Sequence, residues 1–69
     1  MRYTVYLTRE DDAFLVNVPA FPNICTYGHT ESEALANAQE AIELYVSVLV
    51  DEGSPLPDDV TTATVEVAA

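Results

Sequence analysis

A chain of 69 residues has room for one domain, and a domain of that size buries only about 60% of its unfolded surface. Twelve Asp and Glu face two Arg and no Lys, a formal net charge of −10, which excludes most of the phosphate contacts that nucleic-acid binding needs. The single cysteine excludes an internal disulfide, and Cys25 with His29 falls short of the four ligands of a structural zinc.

Self-association is the stabiliser that remains for so small a chain, so a homo-oligomer, dimer or higher, is expected. The longest apolar run, "LYVSVLV", is too short to cross a bilayer, and no leading basic-then-apolar segment resembles a signal peptide. The expectation is a reduced, cytoplasmic protein without a membrane span. Its acidity has two readings: complementarity to a basic partner, or the acidic surface of a salt-adapted organism. The lack of lysine and the wealth of Ala, Val and Thr favour the second.

In "RYTVYLT", Tyr3, Val5 and Leu7 alternate with Thr4, Tyr6 and Thr8, the period of a half-buried strand. "REDDA" reads as a polar turn, and "FLVNV" as a second strand with Phe14, Val16 and Val18 on one face. The short gap between them predicts a hairpin. Pro19 cannot donate to a ladder and ends the second strand. Pro22 keeps "PAFPN" a connection. "ICTYG" predicts a third short strand that Gly28 releases into a turn.

Thr30 and Glu33 have the spacing of a capping box, and Glu31 and Glu33 suit the positive end of a helix dipole. Leu35, Ala38, Ile42, Tyr45 and Leu49 then recur at threes and fours, giving one apolar stripe. Gly53 and Pro55 predict the stop. A helix over about residues 31–51 is roughly 30 Å long, against roughly 17–20 Å for a typical strand. Its "LYVSVLV" end should overhang the sheet, and Tyr45, Val46, Val48, Leu49 and Val50 are the expected oligomer interface. "TTATVEV", after the "SPLPDD" linker, alternates again and predicts a last strand.

No nucleophile–base pair, phosphate loop or cofactor fingerprint appears, so no enzyme activity, cofactor or metal is expected. His29, without a partner motif, reads as a solvated turn residue rather than a ligand or general base. Cys25 lacks the nearby cation a reactive thiolate needs and reads as a small core or strand residue. Glu10, Asp11 and Asp12 could in principle hold a divalent metal, but a flexible turn does not fix carboxylates as a metal nuclease requires. Phe21, between two prolines, fits either an exposed anchor or a lid folded back on the core. Tyr6 and Tyr27 should stand on the sheet face away from the helix, where an aromatic patch marks an interface.

The ordered set Val18-Pro19 with Pro22, Gly28 with Thr30, and Glu33-Ala34-Leu35 through Asn37, Glu40, Ala41 and Ile42 closely resembles the N-terminal domain of HicB-like antitoxins. The likeness covers residues 2 to about 57. It implies an α+β, partial RNase H-like fold of order β-β-β-α-β over residues 1–69, an antiparallel sheet on one long helix. It also implies a binding role: occupying the active site of a small basic mRNA-cleaving toxin of the HicA type. Tyr6, Asp11, Asp12, Phe21 and Tyr27 are the expected partner-binding residues. Many relatives append a DNA-binding segment; none is expected here, so operator binding does not carry over. Nor does nuclease activity, since "YTVYLT" lacks the carboxylate that active RNase H enzymes carry on the first strand. The alternative is a stand-alone oligomeric protein of this fold, structural or ligand-sensing, without a toxin.

Overall fold

The computed structural model describes residues 1–68; the expected domain end, Ala69, lies outside them. Three strands, β1 (Tyr6–Glu10), β2 (Ala13–Asn17) and β3 (Cys25–Gly28), precede one helix, α1 (Glu31–Glu52). The strands form an antiparallel sheet in the order β1-β2-β3. The fold is α+β, with α1 laid over β3 and β2 and with β1 left at the flank.

The hairpin is tighter than the polar run suggested. Glu10 pairs with Ala13, so only Asp11 and Asp12 make the turn. Asp11 takes up the left-handed bend at φ 49°, a conformation Asp tolerates better than most residues because its short side chain bonds locally. The register aligns Leu7 with Val16 and Thr26, and Arg9 with Phe14 and Gly28, on the face beneath the helix. The opposite face carries Tyr6, Asn17 and Cys25 in one row and Thr8, Leu15 and Tyr27 in the next.

Two turns follow β2, each with proline at its second position, where the ring already holds φ near −65°. Phe21 N–H donates to the Val18 carbonyl, and Ile24 N–H to that of Phe21, both at 2.9 Å. The turns fold Phe21 inward. With 3% of its surface exposed, it meets Tyr3 and Tyr45 edge-on, ring centroids 4.8 and 5.3 Å away. Val18, Phe21 and Ile24 form one core cluster, covered by Ile42, Tyr45, Val46 and Leu49 from the helix. Val16, Ala34 and Ala38 form the other.

The helix ends are closed as the capping residues dictate. Thr30 Oγ1 accepts from Glu33 N–H at 3.0 Å, while Glu33 Oε1 accepts from His29 N–H at 3.2 Å. The return bond therefore goes one residue earlier than a standard capping box. At the other end Gly53, at φ 71°, lets its N–H donate to Val50 O and that of Ser54 to Leu49 O, the paired bonds of a Schellman cap.

Two expectations are corrected. The apolar stripe places Leu35 in the core, yet Ala34 and Ala38 are the buried positions and Leu35 is exposed. The cause is the close approach at Gly28: a Cβ there would meet the backbone of Ala34, 2.8 Å from its Cα. At so narrow a gap only small residues fit, and Leu35 swings to the flank. The last strand is also absent among the described residues. After α1 the chain returns to the start of β1, where Tyr3 Oη donates to Pro57 O at 2.7 Å. Residues 58–68 then run exposed, with no strand pairing.

A candidate partner-binding face

One face of the sheet has no helix on it. Period-2 alternation in β1, β2 and β3 sends Tyr6, Thr8, Leu15, Asn17, Cys25 and Tyr27 to that side. Tyr6 and Tyr27 keep 54% and 60% of their surface exposed. Leu15 lies directly between Thr8 and Tyr27, and is half-buried by them. Each tyrosine presents an apolar ring with a hydroxyl at its tip, the composition that recurs at the centres of protein interfaces.

The expected residues distribute unequally. Tyr6 and Tyr27 share the open face on different strands. Asp11 and Asp12, both exposed, stand at the hairpin end of the same sheet beside Glu10. Phe21 does not join them; the two proline turns bury it as a lid on the core, so it offers no surface to a partner. Cys25 is exposed on β3, so it is a strand residue and not a core one. His29 is exposed at the helix start, its ring edge-on to Tyr27 with centroids 6.3 Å apart. A shallow cavity of about 170 Å³ opens beside Tyr6, lined also by Asn17, Val18, Pro19 and Pro22.

The helix-end residues also divide. Tyr45, Val46 and Leu49 pack on the Phe21 cluster; Val48 and Val50 are exposed, and so is Leu44. Leu44 and Val48, four apart, share one side of the helix. Leu15, Thr8 and Asn17 were not singled out in the sequence, although the alternation of β2, Ala13-Leu15-Asn17 against Phe14-Val16, carries the signal. Which of them lies next to Tyr6 or Tyr27 needed the register.

Electrostatically the face is bordered by acid. Arg9 is its nearest described cation by sequence, but its guanidinium lies 5.7 Å from the Phe14 ring centroid on the helix side, within cation–π range. Among the described residues no group of three or more His, Cys, Asp or Glu comes together to hold a metal ion, and no helix is long and apolar enough to cross a membrane.

Residues 3–68 match the family model described as HicB_like antitoxin of bacterial toxin-antitoxin system. The chain belongs to the HicB-like antitoxin family. Among curated proteins, this family member is 43% identical over 60 residues to the UPF0150 protein Ta0767 of Thermoplasma acidophilum, covering 86% of this chain and 87% of that one. It is 38% identical over 58 residues to the UPF0150 protein ssr1765 of Synechocystis, covering 83% and 73%. An uncharacterized 14.9 kDa protein of Haemophilus phage HP1 is 33% identical over 57 residues, which are 83% of this chain but 43% of the phage protein. No solved structure matches the chain. Family membership suggests a toxin–antitoxin role.

Proposed function

We propose that the protein is a non-enzymatic inhibitor that silences a small basic RNA-cleaving toxin of the HicA type by covering its active site. The observation that carries this reading is the open sheet face in a member of an antitoxin family. It presents Tyr6 and Tyr27 to solvent with an acidic turn at its edge. The mechanism is steric. A nuclease whose catalytic side chains lie under a protein face cannot admit RNA, so the inhibitor needs no chemistry of its own. Its charge of −10 would steer a cationic partner and raise the on-rate, whereas residence time would rest on a few buried aromatic anchors. The same charge opposes direct binding of this chain to duplex DNA.

The test is co-expression with the small basic reading frame next to its gene. Neutralisation predicts growth rescue and co-purification of the two proteins. A toxic neighbour that is neither rescued nor captured overturns the proposal. A second reading, a stand-alone oligomer, is favoured by the apolar side chains of Leu44, Val48 and Val50 left in solvent. It becomes the better account if no toxic neighbour exists.

A further inference from the structure

The segment after the linker carries the pattern of a strand and has no sheet. In "VTTATVEVA", residues 60–68, Ala63, Val65 and Val67 alternate with Thr62, Thr64 and Glu66, so a strand here would have one apolar and one polar face. Val65 and Val67 are instead 82% and 79% exposed. The molecule is correspondingly long. Its largest dimension is 48 Å against roughly 33 Å for a helix of this length. Its radius of gyration is 13.9 Å against about 11 Å for a compact chain of this size.

The body has the converse defect. Because α1 covers β3 and β2, an apolar groove stays open between the helix and residues 1–5, the segment that leads into β1. It measures about 290 Å³ and is lined by Met1, Tyr3, Val5, Leu35, Ala38 and Ile42, with Gln39 and Glu43 at its margin. A wider depression toward Val46 and Ser47 continues it. A fourth strand running along β1 and the residues that lead into it would put its apolar face over this groove.

The two edges of the sheet are not equivalent. At β3 the helix intervenes, and Asn37 Nδ2 donates to the Tyr27 carbonyl at 2.8 Å. Among the described residues nothing pairs with the outer edge of β1 from Tyr6 to Glu10, and an unpaired edge is a template for another strand. The chain's own tail does not fill it. Asp59 meets Thr4 through its side chain, which accepts both the Thr4 amide and hydroxyl, and the backbone beyond Asp59 leaves without pairing.

We propose that two copies exchange these segments: residues 60–67 of one copy pair along the β1 edge of the other and the residues that lead into it, seating Ala63, Val65 and Val67 over the groove between those leading residues and α1. The exchange is reciprocal, as a two-fold dimer requires. It adds a strand to both sheets, pairs both β1 edges, and covers the apolar groove of each copy together with Val65 and Val67. This proposal is independent of any toxin, since both of its partners are the same chain.

The test uses the full chain in high salt, which screens repulsion between acidic subunits. Sedimentation equilibrium of the wild type should give a dimer or a multiple of it. The Val65→Asp/Val67→Asp variant should be monomeric with its helical circular dichroism intact, because both side chains are exposed in the single chain. In a Cys25→Ser background, a Val65→Cys chain mixed with a Leu35→Cys chain should form a mixed disulfide under mild oxidation. A monomeric wild type, an unchanged mass for the double Asp variant, or no mixed disulfide overturns the proposal. So does an intramolecular disulfide when both cysteines are placed in one chain.

Discussion

Thr4 and Asp59, 55 positions apart, are joined by two hydrogen bonds. The Thr4 amide donates to one carboxylate oxygen at 2.9 Å and its hydroxyl to the other at 2.7 Å. This pair fixes the point where the chain leaves the body. The backbone donor of Thr4, followed by its hydroxyl, holds the Asp59 carboxyl below its ordinary value of 3.8. A carboxyl depressed on folding contributes stability above its unfolded value, and the contribution is lost as pH falls through the folded one. Docking of the 57–59 linker should therefore be intact at neutral pH and weaken below about pH 4. Asp59→Asn, isosteric but uncharged, should lower the urea midpoint at pH 7. The gap between variant and wild type should close as the pH is taken to about 3. Since Asp59 is solvent-exposed, 1 M salt should shrink the gap too. A gap of equal size at both pH values would mean that the charge is not what holds the linker.

Much of this fold was legible because the relevant signals are local. The alternation of Tyr3, Val5 and Leu7 marks an inward-facing set, although β1 itself starts only at Tyr6 and runs on through Arg9 and Glu10; Thr30 and Gly53 mark the helix ends, and the prolines mark the end of β2 and its connection. What was not legible depends on distances between elements. Whether Phe21 faces in or out is settled by two consecutive turns. Ala34 replaces Leu35 in the core because the helix presses on Gly28, which no periodicity records. The last segment reads as a strand and has the pattern of one, but a pattern does not say which edge, or whose, it joins. The open face was half-read: Tyr6, Leu15 and Tyr27 follow from alternation, while the placing of Leu15 beside Tyr27 and of Asn17 beside Tyr6 follows only from register.

Phe21→Ala should unfold the protein rather than merely weaken partner binding. Loss of a buried Phe costs about 3–5 kcal/mol, and a domain this small holds roughly that much in its core. Here the ring also closes the contact between Tyr3 and Tyr45. Phe21→Leu should retain the fold with a reduced midpoint. Circular dichroism melts of the two variants distinguish a core lid from a surface anchor: a surface anchor would leave both melts near wild type.

Gly28→Ala should be destabilising although the change is one methyl group. The added Cβ would press on the Ala34 backbone, and backbone cannot rotate aside as a side chain can. Overpacking of this kind costs about 1–3 kcal/mol, visible as a lower denaturation midpoint. Gly53→Ala should also destabilise, for a different reason. No atom lies within 4 Å of a Cβ there, but φ 71° disfavours any residue with a Cβ by roughly 1 kcal/mol. Because the atoms met at Gly28 belong to the backbone of Glu33 and Ala34, trimming the Ala34 side chain to glycine should rescue neither variant.

Thr26 offers a stabilising change. Its hydroxyl is buried beneath the helix without a hydrogen-bond partner, opposite Val16 in the register. A buried unpaired hydroxyl costs about 1–3 kcal/mol of desolvation, and valine has nearly the same shape. Thr26→Val should therefore raise the melting temperature, by up to several degrees for a chain of this length. A fall in melting temperature would show that the hydroxyl has a partner.

The open face makes the sharpest demand on the proposed inhibition. Tyr6 and Tyr27 are mostly in solvent and neither closes the core, so Tyr6→Ala and Tyr27→Ala should fold like wild type. Against the toxin each should weaken binding. A well-buried aromatic anchor is worth about 2 kcal/mol, or roughly a thirtyfold loss of affinity, expressed mainly in the off-rate. Asp11→Asn/Asp12→Asn should act differently. These carboxylates lie at the end of the sheet, where removing charge slows association and flattens its salt dependence with little change in residence time. Stopped-flow or surface-binding kinetics at two ionic strengths separate the two effects. If the tyrosine variants bind as tightly as wild type while the acidic pair governs affinity, the toxin engages the hairpin end and the open face is not its seat.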